Sequence, residues 1–245
     1  MTALSTRERM SILLSRELSD HELVLTGAAS AVPLAACLLA KDRHAPSLTI
    51  LGAGVYINPR RLVPGFIAGW DRRPEAIADM TDVFFATEQG IDLMFDGGMQ
   101  IDQYGTANVT RTNAGARTIY GPGLANAMLG YTARRTILYT ERHDTRTLVD
   151  EVDYASAVGH RHHGRSRAEL GLENYGPALL LTPEILFRPD ENGLLQPSAK
   201  HGSASWEEIR NRTAWPLKSE PARMAISDDE VDHLRRIDDR GLLRE

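Results

Sequence analysis

Residues 23–54 read LVLTGAASAVPLAACLLAKDRHAPSLTILGAG, and this stretch decides the fold class. Two short apolar runs, LVLTG at 23–27 and LTIL at 48–51, bracket the helical run AVPLAACLLAK at 31–41. Ser30 and Pro33 suit the N-cap and first turn of that helix. His44, Ala45 and Pro46 break it, because a proline disfavours helical backbone in the residue before it. Strand, helix and strand within about 30 residues form a βαβ unit, whose crossover favours parallel neighbours. The expected fold class is therefore α/β, with a mainly parallel sheet flanked by helices. The longest apolar stretch, 23–40, contains Thr26, Gly27, Ser30 and Pro33, so it is not the run of about 20 apolar residues that a membrane span needs.

The pattern extends in both directions. Upstream, Met10, Leu13, Leu14 and Leu18 share one face of a helix expected over residues 6–19. Downstream, Thr81 is placed to cap a helix over 82–89 that Gly90 would end, and IDLMF (91–95) is a third strand. Residues 97–110 alternate, with turn chemistry at Tyr104-Gly105. A short strand at 117–120 leads into Gly121-Pro122-Gly123 and a helix ending near Gly130. TILYT (136–140) is another strand. Residues 155–174, rich in Gly, His and Arg without periodicity, are expected as a long surface loop. PALLLTPEILFRP (177–189) reads as a strand pair around Thr182-Pro183. Two late helices are expected over 206–213 and 228–237, the second opened by a capping box at Ser227-Asp228-Asp229-Glu230. No tandem repeat appears, and residues 1–245 are expected to form a single domain.

Composition sets the outer bounds. The 245 residues are 42% apolar and 25% charged, which is ordinary for a globular chain. The net charge of −5 makes nucleic acid and anionic membrane poor expectations as partners. The single cysteine, Cys37, allows neither an intramolecular disulfide nor a cysteine-based zinc site, and its setting AACLLA marks it as a buried thiol. The start, MTALSTRERM, lacks an apolar h-region, so no signal peptide is expected and the cytoplasm is the default location.

Several local features could carry chemistry. The second strand runs straight into Gly52-Ala53-Gly54, which is either a tight turn or a loop that lets a ligand approach the carboxyl end of the sheet. The continuation Val55-Tyr56-Ile57-Asn58-Pro59 is extended rather than helical, which excludes a dinucleotide fingerprint. Gly121-Pro122-Gly123-Leu124-Ala125-Asn126 is either a plain turn or a set of backbone donors for an anion or oxyanion. His160-Arg161-His162-His163 could in principle hold a metal, but its spacing matches no recurring site, and a solvated basic loop is the better reading, so no metal is expected. Arg60-Arg61 and Arg72-Arg73 read as solvent-facing, with phosphates of a nucleotide-bearing ligand as the alternative. No Gly-x-Ser-x-Gly elbow, Cys-His dyad or zinc-protease motif is present.

Taken in order, AKDRHAPSLTIL, DGGMQIDQYGTANVT, YGPGLANAM, TLVDEVDYASAVG and ISDDEVDHLRRID resemble the β subunit of the family I coenzyme A transferases, in the glutaconate CoA-transferase branch. The most specific piece is Gly97-Gly98-Met99-Gln100-Ile101-Asp102-Gln103-Tyr104-Gly105-Thr106, where the family commonly has Gly-Ala-x-Gln-Val-Asp-x-x-Gly-Asn. The resemblance covers about residues 6–240. It implies a fold of the NagB/RpiA/CoA-transferase type, an α-subunit partner chain in an α2β2 assembly, and a coenzyme A thioester as substrate with no permanently bound cofactor. In transferases of this family a glutamate just after the second strand attacks the thioester and becomes a glutamyl-CoA thioester. Here that slot holds Gly52-Ala53-Gly54, and no Glu or Asp occurs between Leu48 and Trp70. Relatives without the glutamate give two precedents. One is a steroid-ring hydrolase using an α-subunit carboxylate; the other is a glutaconyl-CoA-type decarboxylase with cysteine in the slot. The resemblance thus implies a β subunit of an acyl-CoA-processing enzyme, catalysing hydrolysis, C–C cleavage or decarboxylation with its acid–base group on the partner. An orthodox transferase and an inert scaffold subunit are the alternatives. The implied substrate contacts are Gly52, Ala53, Gly54, Tyr56, Gln100, Gly121, Gly123, Ala125 and Asn126.

Overall fold

A computed structural model describes residues 3–27, 30–52, 56–63, 69–115, 117–123 and 131–244. The chain divides into two compact units, one of residues 1–95 with 225–245 and one of residues 96–224. Ala53, Gly54, Ala125 and Asn126 lie outside the described residues, as does the helix expected to end near Gly130.

The first unit is built on the βαβ element. Strands β1 (Leu23–Thr26) and β2 (Thr49–Gly52) are parallel, with Leu23 opposite Thr49 and Thr26 opposite Gly52. β5 (Ile91–Asp96) adds in parallel on the other side of β1, while β3 (Tyr56–Ile57) and β4 (Ala76–Ile77) add antiparallel beyond β2. The strand order is β5-β1-β2-β3-β4, parallel with an antiparallel edge. The connecting helix α2 (Ala31–Arg43) is buried without a break from Val32 to Ala40, as a helix apolar all round must be. Helix α1 (Thr6–Ser15) and the final helix Asp228–Ile237 pack on it.

Polar contacts fix this helical layer. Ser5 and Glu8 form a reciprocal capping box at the start of α1. Glu8 is fully buried and takes Arg235 Nε at 2.8 Å, which ties the last helix to the first. Burial works to raise the Glu8 carboxyl, but Arg235 and the Ser5 N–H outweigh it and hold the group below its ordinary range. α1 stops at Ser15, short of the expected residue 19. The Ser15 hydroxyl donates to the Ile12 carbonyl at 2.7 Å, a back-bond that competes with the helical ladder. Helix α3 (Met80–Glu88) is capped by Asp79 rather than the expected Thr81; Asp79 accepts from the Asp82 N–H at 2.9 Å and Asp82 returns the bond at 3.0 Å.

In the second unit, β10 (Ala133–Tyr139) and β13 (Pro177–Leu181) are parallel, and β14 (Ile185–Pro189) and β15 (Leu195–Lys200) continue antiparallel. Ile101, Leu138, Leu148, Leu180, Phe187 and Trp215 form its core, with Ile209 of helix Trp206–Asn211. Three hairpins surround it: β6 (Gln100–Ile101) with β7 (Ala107–Asn108), β8 (Arg111–Ala114) with β9 (Arg117–Tyr120), and β11 (Arg161–His162) with β12 (Arg165–Ser166). The expected surface loop at 155–174 is therefore partly ordered inward. Arg167 is buried, and its guanidinium donates to the carbonyls of Val158, Gly159 and Asn174. Among the described residues, no helix is long and apolar enough to cross a membrane.

Candidate functional site

In the first unit, β1 and β2 end in register, with Thr26 beside Gly52. Ligands of open parallel sheets bind beyond such carboxyl ends. The chain returns from β2 as β3, which places Tyr56 opposite Gly52. The Tyr56 ring carries the Arg72 guanidinium 5.1 Å from its centroid, and the two side chains share a hydrogen bond. Arg72 is only 6% exposed. Burial lowers its pKa and Tyr56 works against that shift, so the cation is held on the phenol. The end of β2 is thus lined by a hydroxyl, an aromatic ring and a buried cation, and the sequence supplies no carboxylate from 48 to 70.

In the second unit, Gln100, Gly121 and Gly123 all attach to one short segment, residues 108–111. Asn108 organises it: its Oδ1 accepts from the N–H groups of Thr110 (3.1 Å) and Arg111 (3.2 Å), and its Nδ2 donates to Arg111 O (2.6 Å) and Gln100 Oε1 (2.8 Å). Gln100 Oε1 also accepts from the Asp153 N–H at 2.9 Å. The Asp153 carboxylate is held below its ordinary pKa by the Asn113 N–H, the Thr112 hydroxyl and the Gln100 side chain. Gly121 N–H donates to Thr110 O (2.8 Å) and Gly123 N–H to Val109 O (3.0 Å). A Cβ on Gly121 would stand 2.2 Å from Val109 O, and Gly123 has φ +65°. These glycines are required by close packing and by left-handed backbone. Their N–H groups, expected as ligand donors, are already committed inside the protein. Gln100 likewise spends its oxygen on Asn108 and Asp153.

Asp102, in the same segment as Gln100, is a buried turn-former that sequence reading matched but assigned no role. Its Oδ1 accepts from the Tyr104 and Thr106 N–H groups, both at 2.9 Å. Burial nevertheless pushes its carboxyl up to about 6. It lines a hollow of about 210 Å³ with Asp150, Glu151, Arg161, His162 and His163. The rings of His162 and His163 stand 3.9 Å apart, and His163 meets Glu151 at 3.5 Å. Among the described residues, no three His, Cys, Asp or Glu are grouped to hold a metal ion. His160 points elsewhere, with Nε2 2.7 Å from Pro177 O. Cys37 is fully buried in α2, and burial raises its thiol far above the ordinary range.

No protein-family model matches the chain. The chain is 26% identical to the β subunit of 3-oxoadipate CoA-transferase from Pseudomonas knackmussii over 246 residues, covering 95% of this chain and 92% of that one. Its fold superposes on glutaconate coenzyme A-transferase from Acidaminococcus fermentans with a TM-score of 0.83, at 22% identity, covering 100% of this chain and 98% of that one. The decarboxylase AibA/AibB gives 0.81 at 25% identity, covering 99% and 98%. The chain matches a family I CoA-transferase β subunit. Variants of that decarboxylase with one cysteine replaced by alanine, serine, valine or asparagine have also been solved. The present chain has only Cys37, which is sealed in α2, and its sequence carries no thiol after β2.

Proposed function

We propose that this chain is the β subunit of a heteromeric acyl-CoA-processing enzyme that works without a nucleophile of its own, by hydrolysis, C–C cleavage or decarboxylation of an acyl-CoA thioester. The proposal rests on the loop after β2, which has no Glu, Asp or Cys from Leu48 to Trp70 within a chain that otherwise follows the CoA-transferase β subunit. Without a carboxylate there, this chain cannot form the mixed anhydride and glutamyl-CoA thioester of the transferase route. The acid–base group is assigned to an α-subunit partner in an α2β2 assembly; the two-chain decarboxylase AibA/AibB supports a partner chain. No permanent cofactor is assigned, and the enzyme would be cytoplasmic.

The residues proposed to touch or shape the substrate's surroundings are Gly52, Ala53, Gly54 and Tyr56 in the first unit and, in the second unit by itself, Gln100, Gly121, Gly123, Ala125 and Asn126. Because the Gly121 and Gly123 N–H groups bond Thr110 and Val109, their part is to shape the turn. Oxyanion donors would come from the residues after Gly123. Gln100 acts as a positioning residue through Asn108.

The test is turnover by the chain purified with its α subunit. Consumption of an acyl-CoA without any added carboxylate acceptor supports the reading. Exchange of labelled acetate into acyl-CoA with ping-pong kinetics would make the enzyme a transferase. Absence of any turnover together with tight subunit association would make this chain a scaffold.

A further inference from the structure

The two arginine pairs of the first unit are twelve residues apart in sequence and meet in the fold. The Arg72 carbonyl accepts from both the Arg60 N–H (2.8 Å) and the Arg61 N–H (3.2 Å). Glu75 N–H donates to Ile57 O at 3.0 Å and closes the other side. The result is an open hollow of about 480 Å³ lined by Arg60, Arg61, Arg73, Pro74 and Glu75, within the size range of small-molecule sites. Arg72 turns inward to Tyr56, whereas the other three arginines line the hollow.

Their charge is only partly answered. Arg60 reaches Glu75 at 3.4 Å with both side chains exposed, and Glu75 is shared with Asn58 Nδ2 at 2.9 Å. Arg61 meets Asp239 at 3.3 Å. Arg73 makes no ion pair among the described residues, and it sits at φ +46°, a left-handed position that a side chain beyond Asn or Gly rarely takes. A strained, unpaired arginine beside two others is a poor arrangement for folding and a good one for a polyanion.

We infer that this hollow binds the phosphates at the nucleotide end of the acyl-CoA, an assignment that rests on the acyl-CoA reading above. The path fits. Tyr56 flanks the strand end, and the four residue steps from Tyr56 to Arg60 span at most about 14 Å, which an extended pantetheine arm covers. Arginine suits phosphate because its planar donors engage two oxygens at once.

The test is calorimetric titration of the chain assembled with its α subunit, using acetyl-CoA, acetyl-pantetheine and inorganic pyrophosphate. Acetyl-CoA should bind more tightly than acetyl-pantetheine, with an affinity that falls as salt rises. The double variant Arg60→Gln/Arg73→Gln should weaken acetyl-CoA by about 5- to 25-fold, at up to about fivefold per exposed pair, and leave acetyl-pantetheine unmoved. Arg73→Gly, which suits the left-handed backbone, should lose affinity for acetyl-CoA without lowering the melting temperature. Unchanged acetyl-CoA binding in the double variant, with pyrophosphate still bound by the wild type, would overturn the assignment and leave a site for free anions. Dissociation of the two subunits in the double variant would overturn it in favour of an acidic protein surface. Failure of the wild-type complex to bind either thioester would instead overturn the acyl-CoA reading itself.

Discussion

Replacing Asp102 by Asn should stabilise the protein at alkaline pH and do little in acid. Asp102 is 4% exposed, and Oδ1 closes the β6–β7 turn by accepting two N–H groups. An asparagine keeps that oxygen and removes the charge. Burial lifts the carboxyl from an ordinary 3.8 to about 6, so the folded state resists ionisation by about two pKa units. At 1.36 kcal/mol per unit this costs about 3 kcal/mol once the group is ionised in both states. The folded pKa is raised, so the associated stability is fully present below pH 3.8 and is lost as pH rises through 6. The gain from Asp102→Asn should therefore be about 3 kcal/mol at pH 8, about 1.5 kcal/mol at pH 5, and small below pH 4. For a chain of this size, the pH 8 gain corresponds to a rise of about 6–12 °C in melting temperature. Thermal melts of wild type and variant across pH 5–8 measure it. A variant that melts lower than wild type at pH 8 would overturn this expectation, because the carboxylate charge would then be answered by a cation in the neighbouring hollow.

Gly121→Ala should destabilise by about 2–4 kcal/mol, since a Cβ 2.2 Å from Val109 O can be relieved only by moving backbone and weakening the bonds to Thr110 and Val109; urea melts and amide exchange at Gly123 report it. Arg235→Ala leaves Glu8 buried without its partner and should cost about 3 kcal/mol at pH 7. Because Glu8 has a lowered folded pKa, the pair's stability is present above pH 4.5 and lost as pH falls through the folded value, so wild type and variant should converge in acid melts. Cys37 should resist iodoacetamide in the native protein and react in urea, with alkylation followed by mass spectrometry.

The βαβ element was legible because its signals are local: buried apolar runs, a proline in the first helical turn and a break at Pro46. The last helix was legible for the same reason, since Ser227 and Glu230 form the capping box that their spacing announces. Its attachment to α1 was not, because Arg235 and Glu8 are more than two hundred residues apart and nothing local pairs them. β15 was missed because Pro197 interrupts the run; the proline is tolerated because β15 is an edge strand whose register shifts beside it. The order within 155–174 was missed because its β11–β12 hairpin has strands of only two residues each, and because one side chain, Arg167, supplies much of the remaining hydrogen bonding.

At the candidate site, residue types were readable and commitments were not. The sequence marked Gly121, Gly123 and Gln100, but which of their polar groups remain available depends on Val109, Thr110, Asn108 and Asp153. Both arginine pairs were visible as runs. Their meeting depends on the Arg72 carbonyl, the Ile57–Glu75 bond and the pairing of β3 with β4, and only the fold supplies these.

Whether this subunit provides a covalent nucleophile can be read from a trap during turnover. The complex is incubated with an acyl-CoA, treated with hydroxylamine or borohydride, and this chain is mapped by peptide mass spectrometry. No hydroxamate and no reduced carboxyl is expected on any Asp or Glu of the chain. A modified glutamate on this chain, appearing only with acyl-CoA present, would show that it carries the nucleophile after all.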